Sequence, residues 1–269
     1  MFNNTVKLHI SSLKPILYFN NKKYKNIVIV IIILFLSCNN YNYQINNIKV
    51  ENIIVLDSIV KNEELDNLVQ PYKNKIKDLQ KIIGYSKKSL SIRDGILESS
   101  LGNLLADILI EESKPVFNKM YSKNIDFCLL NFGGVRGNLN KGQITQHHLF
   151  TIMPFNNTST VVKLTGKKVL ELIKYINKAK LAHPTSGIQI EFIGEKIDKV
   201  IVENKKFNVD DTYYVLTSNF LQEGGDKMDF FKNPLELYPL KTNIRDVLIN
   251  YITKKDTIIG KKDNRIIRF

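Results

Sequence analysis

Ile125-Asp126-Phe127-Cys128-Leu129-Leu130 runs directly into Asn131-Phe132-Gly133-Gly134-Val135-Arg136. The first half reads as a short, nearly continuous apolar strand of the kind buried on both faces of a sheet. The second half empties that strand into a Gly-Gly turn, where the backbone can approach a ligand closely and keep its N–H groups available. Asn131 offers an amide there, and Arg136 a guanidinium fork suited to phosphate or carboxylate. By itself such a turn is equally well explained as structural, so its surroundings matter.

Upstream, residues 102–112 carry Leu104, Leu105, Ile108 and Leu109 at helical spacing, behind Ser99 and Ser100 as capping candidates. Residues 85–92 read as a strand. Residues 62–83 show a helical period interrupted near Pro71, with Gly84 as its stop, and 46–57 read as a short β segment. Downstream, 161–164 is a strand and 166–178 a second amphipathic helix. Strands follow at 188–193, 199–202 and 213–218, then a short helix at 245–252. The pattern predicts an α/β (α+β) fold with a mixed sheet, as a single domain over 85–255. A helical lead-in over 61–84 precedes it, a tether and first strand occupy 38–60, and a basic tail occupies 256–269.

The 269 residues are 43% hydrophobic and 24% charged, a globular composition. Of the net charge of +13, five lysines fall within residues 1–37, which hold no acidic residue, leaving +8 on the rest. There the lysines alternate with Asp and Glu, as in Lys75-Ile76-Lys77-Asp78, a solvated basic surface rather than the basic stripe of a nucleic-acid binder. The first 37 residues read as an export signal. Lys22-Lys23-Tyr24-Lys25 precedes ten unbroken apolar residues, 27–36, too few for a membrane-spanning helix, which needs about 20. Ser37-Cys38 then resembles a bacterial lipobox, which makes Cys38 the lipidation site and a lipid anchor the membrane attachment. That leaves Cys128 unpaired, as a core residue.

Three further segments place special residues beside strands: Pro154-Phe155-Asn156-Asn157, Pro184-Thr185-Ser186-Gly187, and Asn219-Phe220 followed by Gly224-Gly225-Asp226. An aromatic ring near a carboxylate can stack on a base and accept a hydrogen bond from sugar or base. Singly each is an ordinary turn. The ordered set is Gly102-Asn103-Leu104 with Ala106-Asp107, Asn131-x-Gly-Gly-x-Arg136, Gly142-x-Ile144-Thr145, Pro154-Phe155-x-Asn157, Leu164-x-Gly166, Ser186-Gly187 and Asn219-Phe220-x₃-Gly-Gly-Asp226. Together it resembles the C-terminal domain of the 5′-nucleotidase / UDP-sugar hydrolase family, over residues 85–232.

The resemblance implies that family's mixed-sheet sandwich and a nucleotide or nucleoside ligand. It puts Phe155 and Phe220 on the two faces of the base, Asn131 on the base, Arg136 on the phosphate and Asp226 on the ribose. Gly133 and Gly134 form the turn between them. The chain departs from the family pattern at Phe132, where a small residue is usual, and at Lys227, where a third glycine is common. Where the family often has a basic residue shortly before the Gly-Asn-Leu helix, this chain has Arg93-Asp94-Gly95-Ile96-Leu97-Glu98, with Arg93 as the one candidate equivalent. The family's hydrolysis depends on two metals held by Asp, His and Asn in a separate domain. The four histidines here, His9, His147, His148 and His183, stand in no such context. The expectation is therefore no catalytic residue, metal or other cofactor on this chain, with divalent metals carried by a partner metallophosphoesterase. A stand-alone nucleotide-binding lipoprotein is the alternative, and a degenerate relative that binds nothing is the weakest.

Overall fold

A computed structural model describes residues 47–52 and 62–269. The chain divides into two units, Met1–Val60 and Lys61–Phe269. Of the first unit, 47–52 are exposed and form no strand; the rest of the expected 46–57 segment, the export signal and Cys38 lie outside the described residues.

The second unit opens with α1 (Glu63–Leu79), capped by Asn62, whose side chain accepts from the Leu65 N–H at 3.1 Å. Three acidic residues in its first turn face the positive end of the helix dipole. Contrary to the interruption expected at Pro71, the helix runs through it. Its Leu65, Leu68, Val69 and Ile76 are 42–66% exposed.

β1 (Ile82–Ser86) follows, shorter than the strand expected over 85–92. Beyond it the backbone turns, with the Ser86 hydroxyl donating to Lys88 O at 2.7 Å. Leu90 then meets Leu139 in a lone bridge. α2 (Ser100–Tyr121) is capped by Ser99, whose hydroxyl accepts from the Gly102 N–H at 3.1 Å. It continues nine residues past the expected end, because Phe117 beyond Pro115 is fully buried. β2 (Phe127–Leu129), β3 (Gly142–Thr145) and α3 (Gln146–Ile152) lead to β4 (Thr158–Thr165) and α4 (Gly166–Ala179). After them come β5 (Thr185–Ser186), β6 (Ile188–Ile193), β7 (Lys196–Val202), β8 (Lys205–Lys206) and β9 (Thr212–Ser218). A short α5 (Asn219–Gln222), β10 (Glu236–Asn243), α6 (Ile244–Lys255), β11 (Thr257–Ile258) and β12 (Ile266–Arg268) complete the chain.

These strands form three sheets, ordered β11-β1-β3, β10-β4-β9-β2-β5 and β12-β6-β7-β8. The five-stranded sheet is central and mixed: β2 runs parallel to β9, while β4 is antiparallel to β9 and β10. Alternation along its strands sends side chains into two separate cores. Cys128, Val161 and Leu216 join the α2 and α6 residues on one face. Phe127, Leu129, Val162 and Val215 join α4 and the β6–β7 hairpin on the other. The mixed-sheet α/β sandwich read from the sequence is therefore the fold.

Residues 256–269 are not a tail, as the sequence suggested. β11 pairs in parallel with β1, and β12 with β6. One of its basic residues, Arg265, has a side chain only 10% exposed and grips Asp107 at 2.7 and 3.0 Å and Asp263 at 2.8 and 2.7 Å.

Candidate functional site

Strand direction assembles the site. β2 and β9 are parallel, so the residues after each, Asn131 and Phe220, leave at the same edge of the central sheet. β4 is antiparallel to β9, so the residues before it, including Phe155, arrive at that edge too. The carboxyl ends of parallel strands in an open α/β sheet are where ligand crevices form. A cavity of about 110 Å³ opens there, lined by Asn131, Gly133, Gly134, Arg136, Phe155, Asn157, Phe220 and Asp226. All seven residues singled out in the sequence line it. Asn157, which belongs to the same motif, is the eighth.

The first wall is the turn after β2. The Leu130 N–H donates to Pro184 O at 2.8 Å, and Phe132–Gly134 then form a single 3₁₀ turn closed by Gly134 N–H to Asn131 O at 3.1 Å. Its glycines answer to crowding: a Cβ on Gly134 would stand 2.7 Å from Asn131 Oδ1, and one on Gly133 3.3 Å from Asp226 Oδ2. The Arg136 N–H bonds Ile152 O at 2.8 Å, and its guanidinium lies 5.4 Å above the Phe155 ring, leaving the charge at the rim.

Phe155 itself stands on a loop fixed from beneath by Arg245, a buried residue at the start of α6. The Arg245 guanidinium donates to Met153 O at 3.0 Å, Phe155 O at 3.5 Å and Asn156 Oδ1 at 2.8 Å, and stacks 3.9 Å over Phe150. Sequence reasoning passed over Arg245. Its one visible signal was a charge among apolar residues in a helix with a buried face.

The opposite wall follows β9. Ser218 caps α5 by accepting from the Leu221 N–H at 3.2 Å, and Asn219 Oδ1 accepts from the Thr158 N–H at 2.9 Å, tying this wall to the start of β4. Phe220 lies against Gly225, where any Cβ would overlap its ring. The turn needs left-handed backbone at Gly224 (φ 91°), Asp226 (φ 53°) and Lys227 (φ 61°). Lys227, the family's usual glycine position, thus keeps the turn's conformation without glycine's freedom. Asp226 so held accepts a short hydrogen bond from the Asn131 side-chain amide, joining the two walls. Phe155 and Phe220 remain 44% and 42% exposed, as ring faces open to a ligand would be.

Behind the first wall sits His183, 2% exposed, whose Nδ1 accepts from the Phe132 N–H at 3.1 Å. Burial pulls its pKa down to about 4, against the opposing pull of the Asp226 carboxylate and the Leu130 carbonyl, so the ring is neutral near pH 7. A larger cleft of about 430 Å³ surrounds Arg265, but that guanidinium is already committed to Asp107 and Asp263. A dimetal cage does not fit the described residues: no three His, Cys, Asp or Glu among them are grouped for a metal. His148 is spent on capping α3, and His183 on Phe132.

Residues 82–233 match the family model of the 5′-nucleotidase C-terminal domain. The trifunctional nucleotide phosphoesterase protein YfkN of Bacillus subtilis is 30% identical over 190 residues, covering 64% of this chain and 13% of that protein. Human 5′-nucleotidase is 28% identical over 190 residues, 63% of this chain and 33% of its own length. The chain thus spans at most about a third of these relatives. Among solved structures, a 5′-nucleotidase precursor from Thermus thermophilus superposes with a TM-score of 0.65 at 23% identity, covering 77% of this chain and 42% of that one. The Haemophilus influenzae NAD nucleotidase gives 0.59 at 18% identity, covering 77% and 41%. These two likenesses show a shared fold. On the family match and the sequence relatives together, the chain belongs to the 5′-nucleotidase C-terminal domain family.

Proposed function

We propose that this chain is the substrate-binding half of a 5′-nucleotidase, and that its cavity holds the nucleoside end of a nucleotide. The observation that carries the reading is the convergence of Phe155, Phe220, Asn131, Asp226 and Arg136, far apart in sequence, on one cavity at the sheet edge. Two exposed aromatic faces suit a base, with stacking contributing about 1–3 kcal/mol per base. The Asn131 amide and Asp226 carboxylate suit the polar edges of base and ribose. Arg136 at the rim suits the phosphate. Hydrolysis is assigned to a separate metallophosphatase that carries the divalent metals. Export and anchoring through Cys38 would place both proteins in one compartment.

The test is phosphate release from AMP with divalent metal, by this protein, by a candidate partner phosphatase, and by the mixture, alongside calorimetric binding of AMP and adenosine. Saturable binding with turnover enhanced only in the mixture is the expected result. Strong turnover by this protein alone would remove the split-enzyme reading, and binding without any effect of mixing would favour a stand-alone binding lipoprotein. No saturable binding would sink the site assignment.

A further inference from the structure

The two walls of the cavity are also joined from behind, by residues that do not line it. His183 Nδ1 accepts from the Phe132 N–H at 3.1 Å on the first wall. The Tyr175 hydroxyl, on α4, donates to the Asp226 backbone oxygen at 2.9 Å on the second. The two rings pack together with centroids 5.5 Å apart and planes tilted by 49°. A continuous path, Phe132–His183–Tyr175–Asp226, therefore spans the back of the site.

Packing alone does not explain the histidine. With Nδ1 accepting, the ring proton sits on Nε2, which is buried; the Leu130 carbonyl near the ring favours its charged form, but no acceptor meets Nε2 with hydrogen-bond geometry among the described residues. A leucine would fill similar space and carry no orphaned donor, and such a donor is destabilising. What leucine lacks is the acceptor for Phe132. The backbone around the histidine is fixed as well, by His183 N–H to Leu181 O at 2.8 Å and Leu130 N–H to Pro184 O at 2.8 Å.

We infer that His183 and Tyr175 are positioning residues of the nucleotide cavity, holding its two turns at a fixed separation without touching the ligand. The ligand side of this inference rests on the function proposed above; the mechanical side does not. Amide hydrogen exchange at 132–135 and 224–226 is measured on the full chain beside the Kd for AMP, in His183→Leu, His183→Asn and Tyr175→Phe. The Asn side-chain oxygen stands near the place of Nδ1 and can accept the same N–H.

The decisive signal is at 224–226, which His183 does not itself bond. His183→Leu is expected to speed exchange there and to weaken AMP about tenfold, as loss of one orienting hydrogen bond would. His183→Asn, which keeps an acceptor for Phe132 but loses the ring against Tyr175, is expected to restore slow exchange at 132–135 but not at 224–226, a split that a role in packing alone would not produce. Tyr175→Phe keeps the ring and removes only the hydroxyl, so it carries the test should the leucine variant fail to fold; it too is expected to speed exchange at 224–226. Wild-type exchange at 224–226 in His183→Leu, or in Tyr175→Phe where the leucine variant does not fold, would overturn the inference. If wild-type protein binds no AMP, the exchange still decides it, and only the nucleotide reading falls.

Discussion

The side-chain amide of Asn131 donates to the carboxylate of Asp226 across 95 residues of sequence. Asn131 is buried, so removing its acceptor leaves a donor with little access to water. Asp226→Ala is expected to cost about 1–3 kcal/mol of stability in urea unfolding. It should also weaken nucleotide binding at least tenfold in calorimetry. Wild-type values in both measurements would mean that the contact holds nothing in place.

Gly225 is small for the sake of Phe220. Its φ is not in the left-handed range, so a side chain there meets a steric conflict with the ring rather than backbone strain. Gly225→Ala should therefore displace the ring and mimic Phe220→Ala. A loss of about 1–3 kcal/mol in binding, roughly fivefold to 150-fold, is expected from either change. Because the ring is 42% exposed, the melting temperature should move little. A Gly225→Ala protein with full affinity would show that Phe220 does not touch the ligand.

Arg245 holds the loop that presents the other ring, Phe155. Arg245→Met keeps much of the volume and removes the donors to Met153, Phe155 and Asn156. A stability loss of about 2–3 kcal/mol is expected from hydrogen bonds to a charged group. Affinity for AMP should fall with it, although Arg245 does not line the cavity. Retained affinity at reduced stability would separate the loop's anchoring from the placement of Phe155.

His183 links stability to acidity. Its folded pKa lies near 4, against 6.5 as the ordinary value, because burial disfavours the charged ring. Between these values the unfolded chain binds a proton that the folded chain refuses. The contribution is thus complete above pH 6.5 and is lost as pH falls toward 4, by up to about 3 kcal/mol. His183→Asn removes the titrating group, so its unfolding free energy should vary less between pH 6.5 and 4 than that of wild type. Parallel pH profiles for the two proteins would show that the histidine is not held neutral.

The parts legible in the sequence are those where local signals and tertiary packing agree. Residues 166–178 repeat apolar side chains on one helical face, and α4 adds only Ala179. Cys128 and its neighbours read as doubly buried, and they feed two different cores. The site was legible because its residues flank strands, at turns where composition is unusual. β10 was missed because Pro239 speaks against a strand, yet as an edge strand it tolerates a residue without an N–H. Arg245 and His183 were missed because their importance is a matter of burial and partners from distant segments, which no local pattern encodes.

Parallel pairing of β11 with β1 and of β12 with β6 joins residues near one end of the folded unit to its beginning and middle. Such pairings close long loops before any contact rewards the lost chain entropy, a cost that grows slowly, with the logarithm of the sequence separation. Arg265 has Asp263 beside it in sequence, but meets Asp107 only when this end of the chain docks. The two outer sheets are thus complete only once the last strands of the chain have docked.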